Sequence, residues 1–294
     1  MPERPCLLTV YAHPDDEASK GPATVAKYHD QGVRTVLVCC TGGEEGEILN
    51  PAMDLPEVRA DIAAVRRREL TEAARIIGYD EVIHLGYRDS GMAGSPANER
   101  IGCFALAPLD EAVGRLVEVL RRERPQVVVT YGEDQSSYPH PDHLRVHEVS
   151  LAAFGSSGDP DAFEMAGAPW QPSKLYYTGW SGARIVAMHE KFGELGLESP
   201  FDAEWLERAR ANTSTYSTLI DVSDHTDVRR GALLAHATQV DPTSPFWFGL
   251  PPEVARTIHP VDEYELARST VALDASDNGT ETDLFSGVRD LAPR

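Results

Sequence analysis

The stretch "TVYAHPDDEASKG", residues Thr9 to Gly21, opens as a buried strand and then places His13, Asp15, Asp16 and Glu17 side by side on what must be a tight turn. Like charges so crowded repel one another, and each carboxylate withdrawn from water costs free energy unless something compensates it. A bound cation and a solvated acidic turn both meet that demand. What precedes and follows the stretch decides the fold. Apolar runs of strand length recur at Leu7–Ala12, Thr35–Cys40, Val82–Leu85, Val127–Tyr131 and Lys174–Thr178, and stretches of helical period lie between them at Thr24–Asp30, Glu57–Ile77, Leu109–Arg124 and Asp142–Phe154. Such alternation predicts an α/β, Rossmann-like, doubly wound and mostly parallel sheet with helices on both faces. Ligands of these sheets bind beyond the carboxyl ends of the strands, which is where the acidic cluster falls.

Beyond about residue 180 the pattern loosens. Helices are expected near Ala183–Leu195, Ala203–Arg210 and Thr226–Thr238, and a strand near Ser217–Val222, while "DPTSPFWFGLPPEV" reads as an ordered covering segment. The chain of 294 residues accordingly divides into a catalytic domain over 1–180 and a smaller C-terminal lobe over 181–294 that completes the substrate cleft. The tail from Ala275 is expected to be mobile at its start. A formal net charge of −20 argues against nucleic acid and against anionic membrane surfaces, both of which need basic protein. No apolar run approaches the roughly 20 residues of a membrane span, and "MPERPCLL" lacks the parts of a secretory signal, so a cytoplasmic protein is expected. Cys6, Cys39, Cys40 and Cys103 show no C-x-x-C spacing and read as core thiols. Nothing in the sequence sets the oligomeric state.

A second polar cluster follows the fourth apolar run: "YPHPDHLRVH", with Tyr138, His140, Asp142, His143 and His147. If both strands run parallel in one sheet, the two clusters emerge at one edge, and His13, Asp16 and His143 can converge on a metal. Two imidazoles and a carboxylate suit Zn²⁺ or Fe²⁺, and three protein ligands leave positions open for water and substrate, as catalytic sites do. His147, four residues beyond His143, shares its helical face, but the glutamate of H-E-x-x-H is absent because Leu144 stands there; a place on the helix face or behind the ligands is favoured. Asp142 reads equally as a helix N-cap and as a group orienting a histidine. "TGGEEGEILNP" is acidic and unlike a dinucleotide fingerprint, which makes it a flexible rim of the site. Arg66, Arg67 and Arg68 suggest a solvated helix face, with one free to point along the sheet edge. Asp89, in "YRDSGMAG", suits either sugar hydroxyls or turn chemistry.

With "AHPDDE" after one strand and "YPHPDH" after a later one, the chain resembles the LmbE-like, or PIG-L, family of metal-dependent N-deacetylases. "HPDDEASKG", "TGGEEGEILNPAMDLPEV", "KLYY", "HATQVDP" and "ELARS" are closer to a branch of amidases that cleave thiol–sugar S-conjugates, a detoxifying reaction, than to the sister branch of biosynthetic deacetylases, which shares the metal motifs and "RDSGMAG". A related natural-product tailoring amidase is a further member of the same set. The resemblance implies a metal-dependent hydrolase of a non-peptide amide bond with a small-molecule thiol–sugar conjugate as substrate. Carried over by residue, it implies His13, Asp16 and His143 as ligands of Zn²⁺ or Fe²⁺, Asp15 as general base, His140 as an imidazolium near the developing oxyanion and Tyr138 as a mobile aid to it. Arg66 and Asp89 would hold the sugar and inositol portions. Lys20 would meet the acyl side, since the amidase branch carries lysine there and the deacetylases a smaller polar residue. Two other classes compete: a two-metal phosphoesterase, for which these motifs supply too few bridging ligands, and a sugar-binding module, which would need neither metal nor Asp15.

Overall fold

Five apolar runs form the parallel core of one sheet in the computed structural model, which describes residues 4–135, 138–212, 216–272 and 279–288. The strands are β1 (Cys6–Tyr11), β2 (Arg34–Thr41), β3 (Glu81–Tyr87), β4 (Val127–Tyr131), β5 (Lys174–Gly179), β6 (Thr218–Asp221) and β7 (Val261–Ser269). Their order is β3-β2-β1-β4-β5-β7-β6, parallel from β3 through β5, with β7 antiparallel to β5 and β6 antiparallel to β7. The helices used below are α1 (Asp16–Ser19), α2 (Pro22–Asp30), α3 (Pro56–Ala60), α4 (Ile62–Ile77), α5 (Leu109–Glu123), α6 (Pro141–Ser156), α7 (Gly182–Glu194), α8 (Ala203–Ala211) and α9 (Thr226–Ala235).

Alternate residues of β1 feed two cores. Leu8 and Val10 pack with Leu116, Val117, Val149 and Ala153 of α5 and α6, whereas Leu7 faces Tyr28, Ala73, Ile77 and Leu233 of α2, α4 and α9. Burial on both faces is why these strands carry unbroken apolar runs. Residues Ile185, Phe192, Phe201, Leu206 and Leu250 form a third, smaller core around α7 and α8. The chain leaves β1 toward β2 on one side and reaches β4 on the other, so the crevice between the carboxyl ends of β1 and β4 is the topological switch point.

Three expectations need correction. The helix read over Glu57–Ile77 is two helices, broken at Asp61 (φ −149°), whose side chain caps α4 by accepting the Ala64 N–H at 3.2 Å. The helix expected over Thr226–Thr238 stops at Ala235. No strand was expected at Val261–Ser269, yet β7 joins β5 to β6, so the sheet continues past residue 180. Lys174, wholly buried, donates to Glu281 Oε1 at 2.5 Å and to the Tyr176 hydroxyl at 3.1 Å, which ties the segment around Glu281 to β5. The four cysteines are buried free thiols. The expected mobility at Ala275–Asn278 lies outside the described residues. Among the described residues no helix is long and apolar enough to cross a membrane.

Candidate active site

Four successive parallel strands deliver the polar residues to one edge. The end of β1 gives His13, Asp15 and Asp16; the loop after β2 gives Gly43 to Glu45; the turn after β3 gives Asp89 and Ser90; and the start of α6, after β4, gives His140, Asp142 and His143. The His13–Asp16 turn is knitted by its own groups. His13 N–H donates to Asp16 Oδ2 at 2.9 Å, and the Tyr131 hydroxyl, which itself receives the Ala12 N–H, donates to the same oxygen at 2.5 Å. Asp15 adopts φ 122°, a region that side chains other than glycine avoid and that costs on the order of 1–3 kcal/mol.

His13, Asp16 and His143 each turn one ligand atom to within 4.8 Å of the other two, and all three are buried. Asp16 Oδ2 lies 3.3 Å from His13 Nδ1 and Asp16 Oδ1 lies 3.5 Å from His143 Nε2. That His143 nitrogen is buried without a hydrogen-bond partner, the condition of a donor atom waiting for a cation. The far nitrogen of His13 is held at 3.2 Å by Asp142 Oδ2, so its near nitrogen faces Asp16; an imidazole ligand needs this kind of outer support. The residues present therefore fit a metal ion. A second set, His13, Asp89, His140 and Asp142, is equally close, and its carboxylates, like that of Asp16, also accept hydrogen bonds from the protein. Asp142 accepts from Ser90 N–H at 2.9 Å and Ser90 Oγ at 2.5 Å, and Asp89 accepts from the N–H groups of Gly91 (2.8 Å) and Glu45 (3.2 Å).

Electrostatics separate the two neighbouring aspartates. Burial opposes ionisation of Asp16, yet Lys20, His143 and His13 outweigh it and hold its carboxyl well below the usual range. Burial raises the Asp15 carboxyl against the pull of Arg66. A raised carboxylate is the more basic one, and this one is next in sequence to Asp16. His140 is pushed down to about 4 by burial and by His13. Its Nδ1 accepts the Asp142 N–H at 3.1 Å, which leaves the ring neutral with Nε2 as the donor, not the imidazolium expected from sequence.

Arg66 is buried rather than solvated, while Arg67 and Arg68 are exposed. Its guanidinium donates to Pro14 O at 2.5 Å, Gly43 O at 2.6 Å and Asp15 Oδ2 at 3.1 Å. Gly43 has φ +67°, and a Cβ on it would stand 2.3 Å from Arg66 Nη1, so glycine is required for this approach. Lys20 Nζ lies 2.6 Å from Asp16 Oδ1. Asp89 faces His13 Nε2 at 3.5 Å and His140 Nε2 at 3.9 Å. Tyr138 is half exposed, its ring 5.4 Å from that of His143. His147 is drawn away, its Nδ1 bonded to Tyr131 O at 3.1 Å. The rim after β2 is tethered, because Asp89 N–H donates to Glu44 Oε2 at 2.9 Å and Arg88 pairs with Glu45 at 2.7 Å.

Sequence reasoning missed Ser90, Tyr131 and His236, the partner of Glu17. For the first two the available signal was position, at the carboxyl ends of β3 and β4. His236 stands in "HATQVDP" with no acidic neighbour, yet its Nε2 meets Glu17 Oε1 at 2.5 Å.

The family model for GlcNAc-PI de-N-acetylases, PIG-L, matches residues 8–154. The chain is similar to the mycothiol S-conjugate amidase of Streptomyces coelicolor, 42% identical, with 97% of this chain and 98% of that one covered. It is similar also to the 1D-myo-inositol 2-acetamido-2-deoxy-alpha-D-glucopyranoside deacetylase of Streptomyces avermitilis, 38% identical, with 98% of each covered. In fold it is like the N,N'-diacetylchitobiose deacetylase from Pyrococcus horikoshii, with a TM-score of 0.59 and 19% identity over 89% of this chain and 83% of that one. The chain belongs to the PIG-L family and is a hydrolase acting on a carbon–nitrogen amide bond.

Proposed function

We propose that the protein hydrolyses the amide bond of mycothiol S-conjugates, yielding an N-acetylcysteine S-conjugate and glucosaminyl-inositol, in cytoplasmic detoxification of thiol-reactive electrophiles. The observation that carries this reading is the end-to-end similarity to the Streptomyces coelicolor amidase; Lys20 adds to it through the resemblance, which implies a lysine at this position in the amidase branch. A second reading, deacetylation of N-acetylglucosaminyl-inositol, is supported by the similarity to the Streptomyces avermitilis enzyme.

An amide is a poor electrophile with a poor leaving group, so its hydrolysis needs an activated water, a stabilised oxyanion and a proton for the amine. Zn²⁺, or Fe²⁺ in its place, held by His13, Asp16 and His143, would supply a lowered water pKa and a polarised carbonyl. Asp15 takes the proton of the attacking water, a task suited to its raised carboxyl. His140, with its Nδ1 occupied by a backbone N–H, offers Nε2–H to the oxygen on which charge develops. Tyr138 adds its hydroxyl from the rim. The resemblance assigns Asp89 and Arg66 to the sugar and inositol portions, but both side chains are buried, and the Arg66 guanidinium is already given to Pro14 O, Gly43 O and Asp15 Oδ2. The segment after residue 180 would complete the substrate cleft; it is tied to α4 and to the rim where the Thr238 N–H and hydroxyl donate to Glu69 at 2.8 Å and 2.7 Å, and Gln239 Nε2 donates to Glu47 O at 3.1 Å.

Lys20 distinguishes the two substrates. Lys20 Nζ lies 2.6 Å from Asp16 Oδ1; with a metal ion held by His13, Asp16 and His143 its hold on that carboxylate would weaken, and the long side chain would be free to meet the acyl group of an S-substituted N-acetylcysteine amide. Lys20→Ser should lower kcat/KM for the S-conjugate more than for N-acetylglucosaminyl-inositol, by roughly the 1.5–3 kcal/mol of a hydrogen bond to a charged group. Loss of support for Asp16 affects both substrates and cancels in the ratio. Steady-state kinetics on the pair of substrates reads this; equal losses would mean that Lys20 does not read the acyl group.

A further inference from the structure

Asp15 holds a backbone conformation that its own residue type does not favour, so something around it must impose that conformation. Its N–H donates to Glu17 Oε2 at 2.9 Å. The other oxygen of Glu17 receives His236 Nε2 at 2.5 Å. Glu17 is 1% exposed and His236 wholly buried, so water does not compete for the bond between them.

His236 is itself well anchored. It follows α9, its N–H donates to Leu233 O at 3.1 Å, and Thr238, two residues on, is fixed to Glu69 of α4. Arg66 also holds this turn, through Pro14 O and Asp15 Oδ2. Arg66 touches the Asp15 carboxylate directly, whereas Glu17 hydrogen-bonds to the peptide that carries it and His236 to Glu17, with the imidazole also within electrostatic reach of the carboxylate. Glu17 lies outside the facing set of His13, Asp16 and His143, although it is their neighbour in sequence.

We infer that Glu17 and His236 are positioning residues, a buried pair by which the C-terminal part of the chain clamps the Asp15 peptide at positive φ and so aims its carboxylate at the metal-ligand cluster. The inference rests on the reading of Asp15 as the general base. A pair that merely glued α9 to α1 would influence stability alone. A pair that aims Asp15 influences turnover through Asp15 and through no other group.

The test uses the full-length, metal-loaded protein and an amide substrate that the wild type turns over. His236→Leu removes the donor and His236→Gln keeps one. In His236→Leu, kcat should fall by about 10²-fold, the scale of a misplacement of about 1 Å, with KM and metal content unchanged, and His236→Gln should recover most of the loss. In an Asp15→Asn background His236→Leu should cost nothing more, because the group it aims has lost its function. A crystal structure of His236→Leu should show Asp15 relaxed from positive φ. A full further loss in the Asp15→Asn background, or an Asp15 backbone unchanged in the crystal, would overturn the inference. Should the wild type cleave no amide, the proposed reaction falls, and the crystal structure of the variant decides the clamp by itself.

Discussion

His143→Ala should leave the protein without its divalent ion and without measurable amide hydrolysis. The deleted nitrogen is the one buried polar atom of the three-donor set that has no hydrogen-bond partner among the described residues, and with Asp16 Oδ1 3.5 Å away it faces the carboxylate across a gap that a cation would bridge. Loss of an outer supporting partner commonly weakens metal binding by roughly 10–100-fold, and loss of a direct ligand should exceed that range. Elemental analysis after dialysis, beside a circular-dichroism spectrum matching the wild type, reads the result. Wild-type metal content in a folded His143→Ala protein would remove His143 from the site. Full activity of the wild type after exhaustive chelation would remove the metal altogether.

Asp15→Asn should keep the metal and lose kcat by roughly 10²–10⁴-fold, the usual scale for losing general acid–base help. The amide side chain preserves shape and retains an oxygen toward Arg66 Nη2, now at 3.1 Å from the carboxylate, but it cannot take a proton from water. The sign of the pH dependence follows from the raised Asp15 carboxyl. A base must be ionised to act, so kcat/KM should fall as pH drops through the Asp15 titration, and this acid limb should vanish in Asp15→Asn. Loss of the metal in that variant would instead make Asp15 a ligand. A raised KM at unchanged kcat would make it a substrate contact.

The parallel strands were legible because strands buried on both faces are written as unbroken apolar runs, as in β1, β2, β4 and β5; the edge strand β3 is only partly buried, and only its Val82–Leu85 segment signalled it. β7 was not, because "VDEYELARS" places Asp262, Glu263, Glu265 and Arg268 in a nine-residue strand. Its buried carboxylates are tolerated through partners far away in sequence: Asp262 accepts from Thr24 Oγ1 at 2.9 Å and pairs with Arg229 at 2.6 Å, and Glu263 accepts from Ser181 N–H at 2.7 Å. No local pattern reports such compensation. The break at Asp61 is similarly hidden, since one residue of unhelical backbone leaves the helical period of its flanks intact.

At the site, the two His-Pro-Asp motifs brought His13, Asp16 and His143 into view, and the sheet order places them together. What the motifs left ambiguous was settled by geometry for Asp142, which is not the N-cap of α6 but the acceptor for His13; the N-cap is His140. Arg66 shows the limit of reading a charge run: of three consecutive arginines one is buried against Asp15, and only the helix phase and the glycine at position 43 select it. His236 lies 219 residues from Glu17, a separation at which sequence spacing carries no information about contact.

The central claim is that this metal site cleaves the amide of a thiol–sugar S-conjugate. The measurement that tests it most directly is mass spectrometry of the products formed by the zinc-loaded protein from a mycothiol S-conjugate and from N-acetylglucosaminyl-inositol, supplied together at equal concentration. The account predicts that the N-acetylcysteine S-conjugate and glucosaminyl-inositol appear first, with chelation abolishing both reactions. Faster release of acetate from the N-acetylglucosaminyl-inositol, with the S-conjugate left intact, would contradict it and assign the protein to biosynthetic deacetylation.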